Sequence, residues 1–455
     1  MEYSFAINGE LPESHHPAEL NGEVFLVGSR STASAARGAF EQPSRRGRLS
    51  QRDGRIELAL DAAARVLNSE GLTNASLDAV ARELCISKSA LYYYFDNKED
   101  LVFKSYLRAC QVACAAVDAA ANESGSGRER FSSYIRRQLS PANPPVAFVS
   151  EIEFLEPEHR EELRVLTRHH HNALLELLQG AIADGSLCVP DPTLLTYSII
   201  GSLNWIAVWL RPSTGTLTLN RIADAYLDLF INGLSPSDRS VDSACPDPVH
   251  IGASAPASAF DRVDQAALRR DTLVRASSEF FNRNGFDNCT LEDISTGLGI
   301  SRSALYHYVS SKEALLHAAF DRSLEKTEYV MTTIAAEPLD GLSRIKRTIS
   351  SAVDLHVGPA GPIANYSRLK SLTREHALEV RARSERLEAI LGSFFALGEA
   401  DGSVRVVDTR LARLALLGAI NWLPKWYIPT GPLAPSAVAA SLNHLFVNGL
   451  APRPD

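Results

Sequence analysis

The feature that most constrains this 455-residue chain is that its sequence repeats itself. Residues 71–108 align with residues 285–322 without a gap, Ser87 matches Ser301, and about 15 of the 38 aligned positions are identical. The similarity returns near the end of each half, where the Phe-Ile-Asn-Gly-Leu run at 230–234 matches Phe-Val-Asn-Gly-Leu at 446–450. Because both ends of the halves are in step, the whole half is duplicated, and the chain is a two-copy tandem rather than a solenoid.

Apolar spacing in each copy predicts one helix followed by two short helices. In the first copy Gly71 is placed to stop the first helix, and Ser76 and Ser87 are placed to cap the next two. The positions predicted to face the core are Leu60, Ala63, Ala64, Leu67, Leu77, Val80, Ala81, Leu84, Leu91 and Phe95. A helix, a tight turn and a short helix form the helix-turn-helix geometry, whose second helix enters the major groove of DNA.

The polar face of the third helix fits that role. Lys88 and Ser89 lie at its N-terminal end, where base edges are usually contacted, and the tyrosines after them bring hydroxyls that can bond phosphate. Lys98 opens the following helix, where an ammonium and free backbone N–H groups together suit an anion. The predicted DNA-binding residues are Ser76, Lys88, Ser89, Ala90, Tyr92, Tyr93, Tyr94 and Lys98 in the first copy, and Thr290, Arg302, Ser303, Ala304, Tyr306, His307, Tyr308 and Lys312 in the second.

The two segments SKSALYYYFDNKEDL and SRSALYHYVSSKEAL resemble the recognition segment of TetR-family repressors. The close resemblance covers roughly 50 residues of each copy, and its occurrence twice at a fixed offset makes it specific. It implies an all-α fold of two tandem TetR-like units. Each unit would have a three-helix DNA-binding head and a helical body for a small effector and for dimerisation, with two heads working together.

Three positions depart from the family pattern. Cys85 stands where glycine is usual in the turn, whereas the second copy keeps Gly299. A non-glycine residue in a left-handed turn costs about 1 kcal/mol. Val309 replaces the usual Phe and is a smaller core anchor, and Gly297, in place of Glu83, weakens its helix.

These patterns predict six segments. A disordered arm is expected at 1–50, the first helix-turn-helix domain at 51–108 and its helical body at 109–235. A proline-containing linker is expected at 236–265, the second helix-turn-helix domain at 266–322 and the second body at 323–455. The five arginines between Arg45 and Arg55 form either a basic arm that enters the minor groove or a solvated tail.

A second repeated motif, Asn-Trp-x-x-x-Trp-x-x-Pro, lies late in each body at 204–212 and 421–429. Helical spacing places both tryptophans of each copy on one face, which indicates either core or subunit contact or a ligand site. The candidates are Asn204, Trp205, Trp209, Asn421, Trp422 and Trp426. The pattern also resembles bodies of TetR-type regulators of lipid catabolism, which implies a small apolar or acyl-CoA-like effector and no other cofactor.

Several other classes are disfavoured. There is no apolar run of the roughly 18 residues that span a membrane and no signal peptide, so a cytoplasmic location with no membrane partner is expected. His169, His170 and His171 point about 100° apart on a helix and cannot converge on one metal. No phosphate loop, nucleophile elbow or paired carboxylates indicate an enzyme. The net charge of −8 still allows a basic face on an acidic body.

The sequence thus predicts a ligand-responsive repressor that binds double-stranded DNA as a single-chain pseudo-dimer. Because Lys88 and Tyr93 correspond to Arg302 and His307, the operator is expected to be an imperfect palindrome. Further association of two chains stays open. Two alternatives also stay open: a small-molecule sensor with degenerate heads that acts through a protein partner, and an architectural protein that binds DNA with little sequence preference.

Overall fold

The computed structural model describes residues 45–452 except 211–216, 237–244, 252–261, 287–288, 359–360, 365–368, 370 and 429–430. Within these residues every regular element is a helix. The first head comprises α1 (Arg45–Asn74), α2 (Leu77–Glu83) and α3 (Lys88–Leu91), and the first body comprises α4 (Lys98–Ala121), α5 (Gly127–Gln138), a short 3₁₀ turn (Ile152–Phe154), α6 (Pro157–Ala183), α7 (Pro192–Trp209) and α8 (Leu219–Leu234). The second head comprises α9 (Arg262–Asn284), α10 (Leu291–Gly297) and α11 (Arg302–Tyr308), and the second body comprises α12 (Lys312–Ala336), α13 (Gly341–Val357), α14 (Arg374–Asp401), α15 (Thr409–Trp426) and α16 (Pro435–Leu450).

Local signals position the first head as expected. Gly71 interrupts α1 with a φ of 74°, which is the predicted stop. The predicted apolar positions are buried, and Leu91 and Phe95 are fully so, while Leu84 is half-buried. Because three helices share this small core, the head holds its surface residues in fixed positions.

Two helices run through predicted domain boundaries. Helix α4 runs without a break from Lys98 to Ala121, and α12 runs from Lys312 to Ala336, so each helix joins its head to its body, and the boundaries at residues 108 and 322 stay predictions. Neither helix contains a glycine or proline near those positions, and Tyr106 and Cys110 are buried on either side of the first boundary. Helix α1 likewise begins at Arg45, inside the segment predicted to be an arm. The arm before residue 45, and the side chains of residues 45–53, lie outside the described part of the chain.

The two halves pack through their last two helices. Helix α7 lies along α15, and α8 lies along α16. Gly201 and Gly418 occupy equivalent places at the first crossing: a Cβ on Gly201 would lie 2.6 Å from Trp422 Cβ, and a Cβ on Gly418 would lie 2.7 Å from Trp205 Cβ. Equivalent residues therefore exchange equivalent contacts, which is the signature of an isologous, two-fold interface.

The second crossing repeats this reciprocity. Gly233 faces the carbonyl of Leu445, and Gly449 faces the carbonyl of Leu229. The Ser202 hydroxyl also donates to the Ala415 carbonyl oxygen across the halves, at 2.8 Å. The interface is therefore packed at backbone contact distance on small residues.

Part of the predicted linker packs against the second body. Val249 is buried, and its N–H donates to Ser351 Oγ at 2.9 Å, while Cys245 Sγ lies 3.1 Å from Ser350 Oγ. Residues 237–244 and 252–261 of that linker lie outside the described residues. In the described part of the chain, every helix is too short or too polar to be a membrane span.

Candidate DNA interface and effector cavity

Side-chain caps form the turn of each head in the same way. In the first head Ala79 N–H donates to Ser76 Oγ at 3.1 Å, and Ala90 N–H donates to Ser87 Oγ at 3.3 Å. In the second head Thr290 forms a reciprocal capping box with Asp293, and Ser301 caps α11. The predicted caps are present, and the hydroxyls of Ser76 and Thr290 are therefore already engaged with the backbone.

The two turns have the same backbone conformation although their residues differ. Cys85 has a φ of 55° and Gly299 a φ of 64°. Cys85 is the one non-glycine residue with positive φ in the described chain. The first head thus keeps the helix-turn-helix turn and carries the strain that its missing glycine predicts.

The short helices α3 and α11 expose most of their predicted DNA-facing side chains. Tyr92 is 50% and Tyr93 is 65% exposed, whereas Tyr94 is only 9% exposed and meets Tyr93 edge to face. In the second head Arg302, Ser303, Tyr306 and His307 are exposed and Tyr308 is half-buried, as are Ala90 and Ala304 in the two heads. The structure thus places Tyr94 in the head's core, because the chain tightens after α3 and turns this side chain inward.

Each recognition helix begins with a cation held by the preceding helix. Lys88 Nζ lies 2.7 Å from Asp78 Oδ2, and Arg302 lies 3.3 Å from the equivalent Glu292 carboxylate. The hydrogen bond that Lys88 donates to Asp78 raises the pKa of Lys88, so this side chain stays protonated at neutral pH. Both pairs are exposed, and exposed pairs contribute little, so a phosphate or base edge can replace the carboxylate at small cost.

Lys98 and Lys312 make contacts that the sequence did not predict. Lys98 Nζ donates to the Thr73 carbonyl oxygen at 3.0 Å. Lys312 Nζ donates to the carbonyl oxygens of Phe286 and Cys289 at 2.8 and 3.0 Å. Both half-buried lysines therefore join the start of the body to the end of the head's first helix or to the loop that follows it, and they position the head as well as adding positive charge to it.

A contact within each body, between its first helix and a later one, was missed from the sequence. His159 Nδ1 lies 2.9 Å from Glu99 Oε1, and His376 Nδ1 lies 2.8 Å from Glu313 Oε1. The bond to Glu313 raises the pKa of His376. These four residues occupy equivalent places in the two copies, so extending the repeat alignment to α6 and α14 would have revealed them.

A cavity of about 1730 Å³ lies mainly in the first body. Its apolar lining includes Phe148, Ile200 and Leu203, and α15 of the second half contributes Trp422 and Trp426. Of the six motif candidates, Asn204, Trp422 and Trp426 line this cavity. Trp205, Trp209 and Asn421 are buried by packing instead, so the two copies of the motif differ in role.

Three residues that line the cavity each have a buried polar atom without a partner. His171 Nε2, Trp426 Nε1 and Gln138 Oε1 are buried without a hydrogen bond. Tyr197 lies between the first two rings, at 4.3 Å from His171 and 4.5 Å from Trp426. Because buried polar groups normally have partners, these three atoms are unsatisfied groups in the walls of the cavity.

The three consecutive histidines diverge as their helical spacing predicts. His169 pairs with Asp118, His170 with the Tyr134 hydroxyl, and His171 stacks on Tyr197. In the described part of the chain, no group of three His, Cys, Asp or Glu residues could hold a metal ion.

Two helix-turn-helix heads with exposed recognition helices, each carried on a helical body, define a DNA-binding regulator. Its family follows from sequence comparison. The family described as bacterial regulatory proteins, tetR family, matches residues 59–104 and 273–319. The tetracyclin repressor-like C-terminal domain matches residues 125–234 and 338–450. The chain belongs to the TetR family and contains two tandem TetR-like units.

Its relatives correspond to one half of the chain. The HTH-type transcriptional repressor KstR2 of Mycolicibacterium smegmatis is 26% identical over 197 residues, which is 42% of this chain and 94% of the relative. The fatty acid metabolism regulator protein of Bacillus subtilis is 20% identical over 181 residues, 38% of this chain and 93% of the relative. The solved structure of KstR2 of Mycobacterium tuberculosis aligns with 18% identity and a TM-score of 0.34, covering 41% of this chain and 96% of that one.

Proposed function

We propose that the protein is a ligand-responsive transcriptional repressor that binds one operator with both heads of a single chain. The observation that carries this proposal is the reciprocal packing of Gly201 and Gly418, because a two-fold contact between the bodies relates the two heads by the same symmetry. Operators of helix-turn-helix dimers mirror that symmetry, with half-sites one helical turn, roughly 34–36 Å, or a multiple of it apart. The repressor relatives support the same role.

Fusion changes how the heads act. The second head binds as an intramolecular event, so pairing does not depend on protein concentration. The heads have also diverged at exposed positions, Lys88 against Arg302 and Tyr93 against His307. The operator is therefore an imperfect palindrome whose two half-sites are read by different side chains.

The effector we propose is an acyl-CoA or a molecule of similar chemistry. The cavity volume of about 1730 Å³ exceeds the roughly 300–1,000 Å³ of sites for drug-sized ligands, which leaves room for an acyl chain and a large polar head. Apolar side chains line it, and Arg164, Arg168 and Lys425 add cations suited to phosphates. A relative named for fatty acid metabolism favours lipid-related chemistry.

Asn68 supplies a route from this cavity to the first head. It lies in α1 and lines the cavity; its Nδ2 donates to the Val146 carbonyl oxygen, and Phe148 N–H donates to its Oδ1, both at 2.8 Å. A ligand that displaces the 146–148 loop therefore displaces α1. Binding that favours the displaced state weakens the DNA complex by the same coupling free energy.

The test is fluorescence anisotropy of purified protein on duplex DNA from its own promoter. Tyr93→Ala and His307→Ala should each lower affinity about tenfold or more, each at a different half-site, because each removes an exposed side chain from one recognition helix. Tyr329→Ala, at an exposed tyrosine of α12, is the matched control and should bind as the parent does. Undetectable binding to any genomic fragment would instead favour a sensor that acts through a protein partner, and equal affinity for random duplex would favour an architectural protein.

A further inference from the structure

We infer that each chain binds a single anionic effector, in the cavity of the first half, and that the second half supplies a cation to this cavity in place of an equivalent site of its own. The inference rests on the proposed effector function. Its basis is that three residues lining the first cavity, Arg168, His171 and Lys425, are replaced by acidic or apolar residues at the equivalent positions of the second half.

Helices α6 and α14 can be compared position by position. His159 and His376 both pair with a glutamate at the start of the body, and Asp184 and Asp401 both accept a hydrogen bond from the first residue of the preceding α-helix. These anchors lie near the two ends of each helix. The residues between them therefore correspond without a gap.

This correspondence reveals a change of charge at the cavity. Arg164 and Arg168 line the first cavity, and the nearest carboxylate to Arg164, that of Glu161, is 3.8 Å away. The equivalent residues of α14 are Arg381 and Glu385, which form an ion pair at 3.4 Å. The first half thus has two arginines that could bind phosphates, whereas the second half has, at the same positions, one arginine that is neutralised by a glutamate.

A third residue that lines the cavity changes in the same direction. His171, whose Nε2 has no partner, corresponds to Glu388. Burial raises the pKa of Glu388 to about 7, and Arg413 partly offsets this. An anionic ligand at this place would meet a carboxylate that is already poorly solvated, which is unfavourable in a site of low polarity.

The third cation comes from across the interface and is not reciprocated. Lys425 of α15 lines the first cavity and donates a hydrogen bond to the Ser150 carbonyl oxygen. Its equivalent in α7 is Val208, which offers no charge to the second half. The two-fold interface is therefore asymmetric in its side chains, because the second half contributes Lys425 and Trp426 to the first cavity and receives no equivalent cation. An effector bound in this cavity contacts both halves.

Native mass spectrometry and calorimetry of the full chain with dodecanoyl-CoA, below its micelle-forming concentration, test this inference. The parent should bind one molecule per chain. The double variant Arg168→Glu with His171→Glu, which gives the first half the residues of the second, should lose that binding by at least about tenfold. Lys425→Val should weaken it by a similar factor, whereas the charge reversal Arg386→Glu, at an exposed residue of α14, should leave it unchanged.

Different failures overturn different claims. Two molecules per parent chain would overturn the one-sided site and leave the proposed effector intact. One molecule per chain that survives both the double variant and Lys425→Val would also overturn it. No binding by a parent chain that still binds its operator would overturn the acyl-CoA proposal, and this inference with it. Thermal melting of each variant establishes that it is folded. If the double variant does not fold, the binding measured for Lys425→Val tests the inference instead.

Discussion

The packing of the two halves can be tested by adding one methyl group at Gly201 or at Gly418. A methyl group on Gly201 would lie 2.6 Å from Trp422 Cβ and 3.0 Å from the Gly418 carbonyl oxygen. Carbon atoms rarely approach closer than about 3.5 Å, so α7 and α15 must separate by roughly 1 Å. Overpacking of this kind costs about 1–3 kcal/mol, which outweighs the gain of about 1 kcal/mol from alanine in a helix.

The assay is urea and thermal unfolding of Gly201→Ala, Gly418→Ala and the double variant. Each single variant should be destabilised by a similar amount, because the contacts are reciprocal, and the double variant should cost less than the sum, because the helices separate only once. Gly180→Ala is the matched control: it also lies within a helix, in the last turn of α6, but its Cβ would meet only Arg130 at 3.5 Å, so it should be neutral or stabilising. If Gly201→Ala behaves as Gly180→Ala does, the two halves do not pack as described.

Three further predictions concern the heads and the first body. Cys85→Gly should raise the stability of the first head by about 1 kcal/mol, because it relieves a φ of 55°, and hydrogen exchange of α2 and α3 should slow; unchanged or faster exchange would contradict this. Lys98→Ala and Lys312→Ala should each weaken DNA binding across all sequences and reduce its salt dependence, since each removes a cation and a contact that positions the head; a loss confined to one sequence would contradict it. Burial lowers the pKa of His170 from 6.5 to about 4. Because the unfolded chain binds this proton more readily than the folded chain, His170 does not reduce the free energy of unfolding above pH 6.5 but reduces it progressively as the pH falls toward 4. His170→Gln should reduce the difference in unfolding free energy between pH 7 and pH 5, and an unchanged difference would show that other groups cause it.

The sequence predicted what depends on neighbouring residues. Ser76 and Ser87 cap their helices, and Leu91 and Phe95 are buried, because caps and helical spacing act within a few positions. The burial of Tyr94 could not be predicted in this way, because it depends on how the chain leaves α3.

The contacts that depend on distant parts of the chain escaped prediction. Lys98 bonds a carbonyl 25 residues earlier, and Lys425 reaches a cavity formed by the other half. Because the pair of tryptophans recurs in both copies, their sequence does not distinguish the roles of the two pairs. The structure separates them, since Trp426 lines a cavity while its equivalent Trp209 is buried.

The most direct test of the account is the mass and footprint of the complex with operator DNA. Light scattering should give one chain per duplex at every protein concentration, and hydroxyl-radical footprinting should show two protected half-sites on one face of the duplex, separated by one helical turn or a multiple of it. A complex that requires two chains, or a footprint over a single half-site, would contradict the claim that both heads of one chain act together.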